Sequence, residues 1–202
     1  MNICIFASGT GSNFQAILNA KSKGLIHSQI RLFITNNSTC GAAEIARNYK
    51  IDLIHISRKI YPDHSDKEYR NLFISALKNY QIDLVVLAGY MKKIDAEIVR
   101  EYKNRIINIH PALLPAFGGE KMYGLNVHKA VIESGVKLSG LTIHFVDVNY
   151  DNGEIIFQKC VDIEDSDDEY SLQKKILQLE HECYPEIIRR IEKGLIKIGE
   201  PK

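Results

Sequence analysis

Apolar residues fall along this chain in short runs separated by longer stretches in which they recur every three or four positions. Ile3 to Ala7, Ile30 to Thr35, Leu53 to Ile56, Leu84 to Ala88 and Ile106 to Ile109 read as strands, and the amphipathic stretches between them read as helices. That alternation is the rhythm of a parallel sheet. It changes after Ile109: Leu141 to Val146 and Glu154 to Gln158 are separated only by Asp147 to Gly153, too short a link for a crossover helix. An antiparallel pair is therefore expected to close one edge. Helix starts are predicted at three capping boxes, Ser12 with Gln15, Ser65 with Glu68 and Ser166 with Glu169, where two side chains satisfy each other's unpaired backbone donors. The last helix is predicted to carry Leu172, Ile176, Leu179, Cys183, Ile187 and Ile191 on one face, with a kink at Pro185. With no repeat, low-complexity tract or linker, the expectation is one α/β domain over residues 1–202, a mostly parallel sheet with helices on both faces.

Composition narrows the partners. At 202 residues the chain can bury a core without disulfides or metals. Its net charge is +1 and its charged residues are spread evenly, so it lacks the basic stripe that binds nucleic acid. Cys4, Cys40, Cys160 and Cys183 lie far apart, which suggests neither a zinc site nor a redox motif but small buried residues in a reducing compartment. The start, Met1 to Phe6 running into Gly9, does not read as a secretory signal, and no apolar run reaches about 18 residues. The expectation is a soluble cytoplasmic protein acting on small molecules, with no metal, no membrane and no nucleic acid, as a monomer or homodimer.

Two segments carry chemistry. Ser8-Gly9-Thr10-Gly11-Ser12-Asn13 links the first strand to the first helix, directing backbone N–H groups and the positive end of the helix dipole at whatever sits there. A single phosphate fits better than a dinucleotide. Phe14 stands where the dinucleotide fingerprint has its third glycine, and the second strand ends Ile34-Thr35-Asn36-Asn37 with no acid for a ribose.

The second is Asn108-Ile109-His110-Pro111 at the carboxyl end of a strand. Residues 108 and 110 share a face because side chains alternate, and a fixed amide donor beside an imidazole suits an oxyanion forming at an attacked carbonyl. A carboxylate from the turn Asn149-Tyr150-Asp151-Asn152-Gly153 could pair with His110 and favour its charged form. On the residues alone, Asp151 and Asp147 are rivals for that role. Glu180 sits on the margin of the apolar face of the last helix, for an internal salt bridge or for a ligand's cation or hydroxyl.

Taken together, the Gly-x-Gly-Ser-Asn loop, Leu87-Ala88-Gly89-Tyr90-Met91, Asn108-Ile-His-Pro-Ala-Leu-Leu-Pro115, His144-Phe-Val and Asp151-x-Gly-x-Ile-Ile-x-Gln158 resemble the glycinamide ribonucleotide formyltransferase family, colinearly from Met1 to about Ile191. The resemblance implies a Rossmann-like formyltransferase fold and transfer of the formyl group of 10-formyltetrahydrofolate to the amine of glycinamide ribonucleotide. It implies that Asn108, His110 and Asp151 are catalytic, choosing Asp151 over Asp147. It implies too that Gly11, Ser12, Asn13 and Glu180 hold the ribonucleotide, and that Met91, Lys92, Lys93, Ile94 and the Asp147 to Asp151 loop, with Asn108, embrace the folate. The chain departs from the family at Lys92 and at Ser65-Asp66-Lys67, where relatives often carry Arg. Gly118 to Gly124 reads as a mobile flap. Related tRNA formyltransferases and formylfolate hydrolases carry extra domains for which this chain is expected to have no room. A small nicotinamide-dependent oxidoreductase and a non-catalytic nucleotide-binding module are the rival readings.

Overall fold

The computed structural model describes residues 1–200. Its elements run β1 (Asn2–Phe6), α1 (Ser12–Ser22), β2 (Gln29–Thr35), α2 (Gly41–Asn48), β3 (Asp52–His55), α3 (Asp66–Asn79), β4 (Leu84–Leu87), α4 (Ala96–Glu101), β5 (Ile106–His110), α5 (Leu125–Ser134), β6 (Leu138–Phe145), β7 (Ile155–Asp162) and α6 (Glu169–Glu192). The seven strands form one sheet in the order β3-β2-β1-β4-β5-β6-β7. β1 to β5 are parallel, and β6 and β7 join antiparallel at one edge, as the short link between them requires.

Side-chain alternation sorts the apolar residues onto two faces. Ile3, Ile5, Phe33, Val86, Ile107 and Ile109 pack beneath α1, α2, α5 and α6; Cys4, Phe6, Leu32, Val85, Leu87 and Ile106 pack beneath α3 and α4. Because both faces of the central strands are covered, those strands read as continuous apolar runs. The edge pair is longer than the sequence pattern suggested. β6 begins at Leu138 and β7 runs on to Asp162; the pattern at Ser139-Gly140 is broken by a glycine, where a Cβ would lie 2.1 Å from the Lys159 carbonyl oxygen.

Of the three predicted capping boxes only that of α3 forms: Glu68 N–H donates to Ser65 Oγ, and Ser65 N–H donates to Glu68 Oε2 at 2.8 Å. At α6 the cap is Asp168, two residues beyond Ser166. It accepts the N–H groups of Tyr170 and Ser171, and Ser171 closes the box. At α1, Gly11 rather than Ser12 is the capping residue, so no side chain caps that helix.

α6 contains Pro185 and buries Leu172, Ile176, Cys183, Ile187 and Ile191 as expected, with Leu179 only partly covered. It also inserts Tyr184, fully buried, whose hydroxyl reaches the carbonyls of Leu87 at 2.9 Å and Ile107 at 3.1 Å. One phenol thus ties α6 to the end of β4 and to β5 near its start. Replacing it by Phe leaves buried acceptors short of a donor, so Tyr184→Phe is expected to lower the unfolding free energy by about 1–3 kcal/mol. The measure is a reduced urea midpoint at unchanged slope; a midpoint equal to the parent's would show that the tie carries nothing.

Candidate active site

The chain works outward from β1 through β2 to β3, then restarts beside β1 with β4. The loops leaving β1 and β4 diverge at that switch, where open α/β sheets leave a crevice. A cavity of about 790 Å³ lies there. The residues given catalytic or binding roles in the sequence analysis line it: Gly11, Ser12, Asn13 and Glu180; Met91, Lys92, Lys93 and Ile94; Asn108 and His110; Asp147 and Asp151.

Gly11 has φ +84°, and a Cβ there would come within 2.7 Å of the Ala42 backbone, so only glycine makes this turn. α1 then begins with no side-chain cap and no acid in its first turn. Its leading N–H groups lack a side-chain acceptor and its dipole is uncompensated, the arrangement that receives an anion. Asn13, second in the helix, donates through Nδ2 to Glu180 Oε2 at 2.7 Å, while its Oδ1 is buried with no partner. Glu180 forms no ion pair among the described residues. Burial pushes its carboxyl up to about 7, against the lowering effect of the Asn13 amide. Of the two alternatives for Glu180, the internal salt bridge is the one the fold does not make.

His110 is buried, and an acceptor stands at each ring nitrogen. Nε2–H donates to the Phe117 carbonyl at 2.8 Å, and Nδ1 lies 3.5 Å from Asp151 Oδ2. The acid beside His110 is thus Asp151; Asp147 accepts the N–H of Asn149 inside its own turn. Asp151 reaches this place because the loop after β6 folds back over the face shared by residues 108 and 110. The loop bends through φ +51° at Asp151 and through Gly153, where a Cβ would lie 1.7 Å from the Phe145 carbonyl oxygen. Asp151 Oδ2 also accepts the Gly119 N–H at 2.9 Å, so the segment expected as a flap rests on both His110 and Asp151.

Asn108 is oriented by a residue the sequence reading placed in a motif but gave no role. His144 lies directly across from it in the β5–β6 register. Its Nδ1–H donates to the Phe145 carbonyl at 2.8 Å, which leaves Nε2 to accept the Asn108 amide at 3.2 Å. Burial, aided by His110, holds His144 below the usual imidazole range despite the Phe145 carbonyl and Asp151. His128, on α5, lines the cavity too. It is 3% exposed, its Nδ1 has no partner, and burial with a further contribution from His110 pushes it down to about 4. Strand register could have flagged His144 once the edge pair was aligned. His128 carries only the signal of a histidine among Val127 and Val131, an apolar helix face. Among the described residues no cluster of three His, Cys, Asp or Glu is placed to hold a metal, and no helix is long and apolar enough to cross a membrane.

A family model described as formyl transferase matches residues 1–188. The chain is 34% identical to phosphoribosylglycinamide formyltransferase of Bacillus subtilis, covering 97% of this chain and 96% of that protein. It is 42% identical to the chloroplastic phosphoribosylglycinamide formyltransferase of Vigna unguiculata over 94% of its own length, and spans 60% of that longer protein. Among solved structures, glycinamide ribonucleotide transformylase 1 from Symbiobacterium toebii superposes with a TM-score of 0.88 at 36% identity, covering all of this chain and 92% of that one.

Glu180 yields a stability prediction. An acid raised from 4.5 to about 7 by folding stabilises fully below its unfolded value, and that contribution is lost as pH rises through about 7. The loss amounts to roughly 3 kcal/mol. Glu180→Gln should lack it, so the variant's unfolding free energy relative to the parent should climb by about that much between pH 4.5 and 8. Parallel curves in denaturant titrations across this range would show that Glu180 is not held neutral.

Proposed function

This chain belongs to the formyl transferase family, and from that premise we propose that it transfers the formyl group of 10-formyltetrahydrofolate to the amine of N1-(5-phospho-D-ribosyl)glycinamide, a step of purine synthesis. The observation that carries the reading is the convergence of Asn108, His110 and Asp151 in a cavity that also contains an uncapped helix start. A phosphate, an attacking amine and a carbonyl each meet complementary chemistry there.

In this reading the first turn of α1, at Gly11, Ser12 and Asn13, receives the phosphate, and Glu180 faces the remainder of the ribonucleotide. The folate head lies along Met91 to Ile94 and against the Asp147 to Asp151 loop. The substrate nitrogen attacks the formyl carbon, forming one C–N bond and a tetrahedral oxyanion. The second N–H of the Asn108 amide and an N–H of His110 donate to that oxyanion, stabilising charge that exists only in the transition state. For His110 this means that the oxyanion replaces the Phe117 carbonyl as its acceptor, so the flap segment shifts when the substrates bind. Collapse breaks the bond to the folate nitrogen, which takes up a proton as the new amide loses one; His110, ordered by Asp151, is the group placed to relay it.

His144 serves the reaction as a neutral ring. Were it charged, Nε2 would become a donor and could no longer hold Asn108. The cysteines are free, in keeping with a reducing cytoplasm, and both reactants are small molecules met by a monomer or homodimer.

His110→Ala and Asp151→Asn are expected to lower turnover by at least about 100-fold while leaving the dissociation constant for the ribonucleotide within a few-fold of the parent. Single-turnover assays paired with calorimetry separate the two effects. Near-normal turnover in either variant would remove that residue from the mechanism.

A further inference from the structure

The turn that carries Asp151 continues into Asn152-Gly153, and of the chain's thirteen asparagines only Asn152 is followed by glycine. In an asparagine, the side-chain carbonyl carbon and the backbone nitrogen of the next residue can close into a cyclic imide. A side chain on that next residue crowds the approach, whereas glycine leaves it open. In a folded protein, closure is held off by hydrogen bonds that fix the asparagine side chain or the peptide after it. Here neither restraint is present. Asn152 is exposed, and neither its amide nor the Gly153 N–H has a hydrogen-bond partner among the described residues. Asn37, which precedes the small residue Ser38, is the contrast: its Oδ1 accepts the Thr39 N–H at 3.2 Å and the Thr39 hydroxyl at 2.9 Å, so its side chain is held in place.

We propose that Asn152 is a site of spontaneous deamidation, and that its isoaspartyl product disables the carboxylate of Asp151 beside it. The Gly153 nitrogen attacks Asn152 Cγ. A new N–C bond forms, the bond from Cγ to Nδ2 breaks, and ammonia leaves with the proton that Gly153 gives up. Water then opens the imide. Its attack at Cγ leaves an ordinary aspartate; its attack at the backbone carbonyl leaves isoaspartate, in which the main chain runs through the side chain and is longer by one carbon. The surroundings decide what that longer chain does. On the Gly153 side there is no slack, because a Cβ there would lie 1.7 Å from the Phe145 carbonyl oxygen and the Phe145 N–H donates to the Glu154 carbonyl at 2.9 Å. The added carbon is therefore taken up toward Asp151, whose Oδ2 lies 3.5 Å from His110 Nδ1 and accepts the Gly119 N–H at 2.9 Å. Displacing Asp151 breaks both contacts together. The aspartyl product keeps the backbone and adds only a charge on an exposed side chain, where salt screens it. The modification is independent of the formyl-transfer reading; the loss of turnover it causes rests on that reading.

The test holds the purified protein in warm, mildly alkaline buffer, which favours loss of the Gly153 proton, and follows the peptide containing residue 152 by mass and by isoaspartyl methyl transfer. Residue 152 should convert ahead of the other asparagines, with isoaspartate among the products. Turnover should fall in step with the isoaspartyl fraction, which should be at least about 100-fold less active, as expected for a His110 without its carboxylate. Asn152→Asp should begin with turnover close to the parent's. Asn152→Gln should keep its turnover through the same treatment, because the longer side chain closes its ring far more slowly. An Asn152 that stays intact while the urea-unfolded chain converts would overturn the site. A fully active isoaspartyl form, or an Asn152→Gln variant that fades as the parent does, would overturn the link to Asp151. Conversion at residue 152 in a protein that shows no formyl transfer from the outset would refute the formyl-transfer reading and leave the modification site standing.

Discussion

The Asp151 carboxylate lies within reach of three groups from three separate segments: the His110 ring at the end of β5, the His144 ring on β6 and the Gly119 N–H in the segment before α5. Its side chain is 11% exposed, so its charge is little screened by water. Removing it would release the loop after β6 and the segment resting on His110 together. Two rings so close cannot both be charged cheaply, and burial resolves the competition by keeping His144 neutral. The same neutral ring then holds the Asn108 amide. The geometry at the centre of the cavity is thus a consequence of which groups the fold leaves uncharged.

Much of the sheet was legible in the sequence because the central strands are covered on both faces, and burial on both faces leaves an unmistakable apolar run. Legibility fades where a strand gives up its pattern for a close approach, as at Gly140, which hid the true start of β6. The helix boundaries failed for a different reason. A Ser-x-x-Gln spelling at Ser12 cannot reveal that Gly11 adopts a left-handed conformation and takes the capping position itself. At α6, Asp168 does the same work as a serine and sits nearer the helix. Within the site, Asn108 and His110 could be placed on one face by counting residues, whereas the choice of Asp151 over Asp147 depended on how a loop folds back, which local spacing does not encode. His144 needed the strand register. His128 gave no warning beyond its apolar neighbours.

Several places where local rules are broken lie in or beside the cavity. α1 lacks a side-chain cap, Asn13 Oδ1 and His128 Nδ1 are buried without partners, and Asp151 and Phe117 sit at positive φ. Each feature costs stability in isolation. Away from it the chain carries full capping boxes on α3 and α6, although Arg105 Nε, Ser139 Oγ and His181 Nε2 are also buried without partners. The gathering of an uncapped helix start and two unpartnered polar atoms around one cavity is expected of a fold that holds groups ready for a ligand.

The hydrogen bond between Asn13 and Glu180 joins residues 167 positions apart, and Tyr184 reaches back to Leu87 and Ile107 from the same helix. Synthesis delivers residues in order, so the loop, the strands and the central Asn and His all emerge before α6 does. Until then the nascent chain has the start of α1 but not Glu180 beside it, and strands β4 and β5 but not the phenol that fastens them. The order of translation therefore makes completion of the cavity wait on α6: the start of α1 and the strands around it gain their long-range ties only once that helix has emerged and docked.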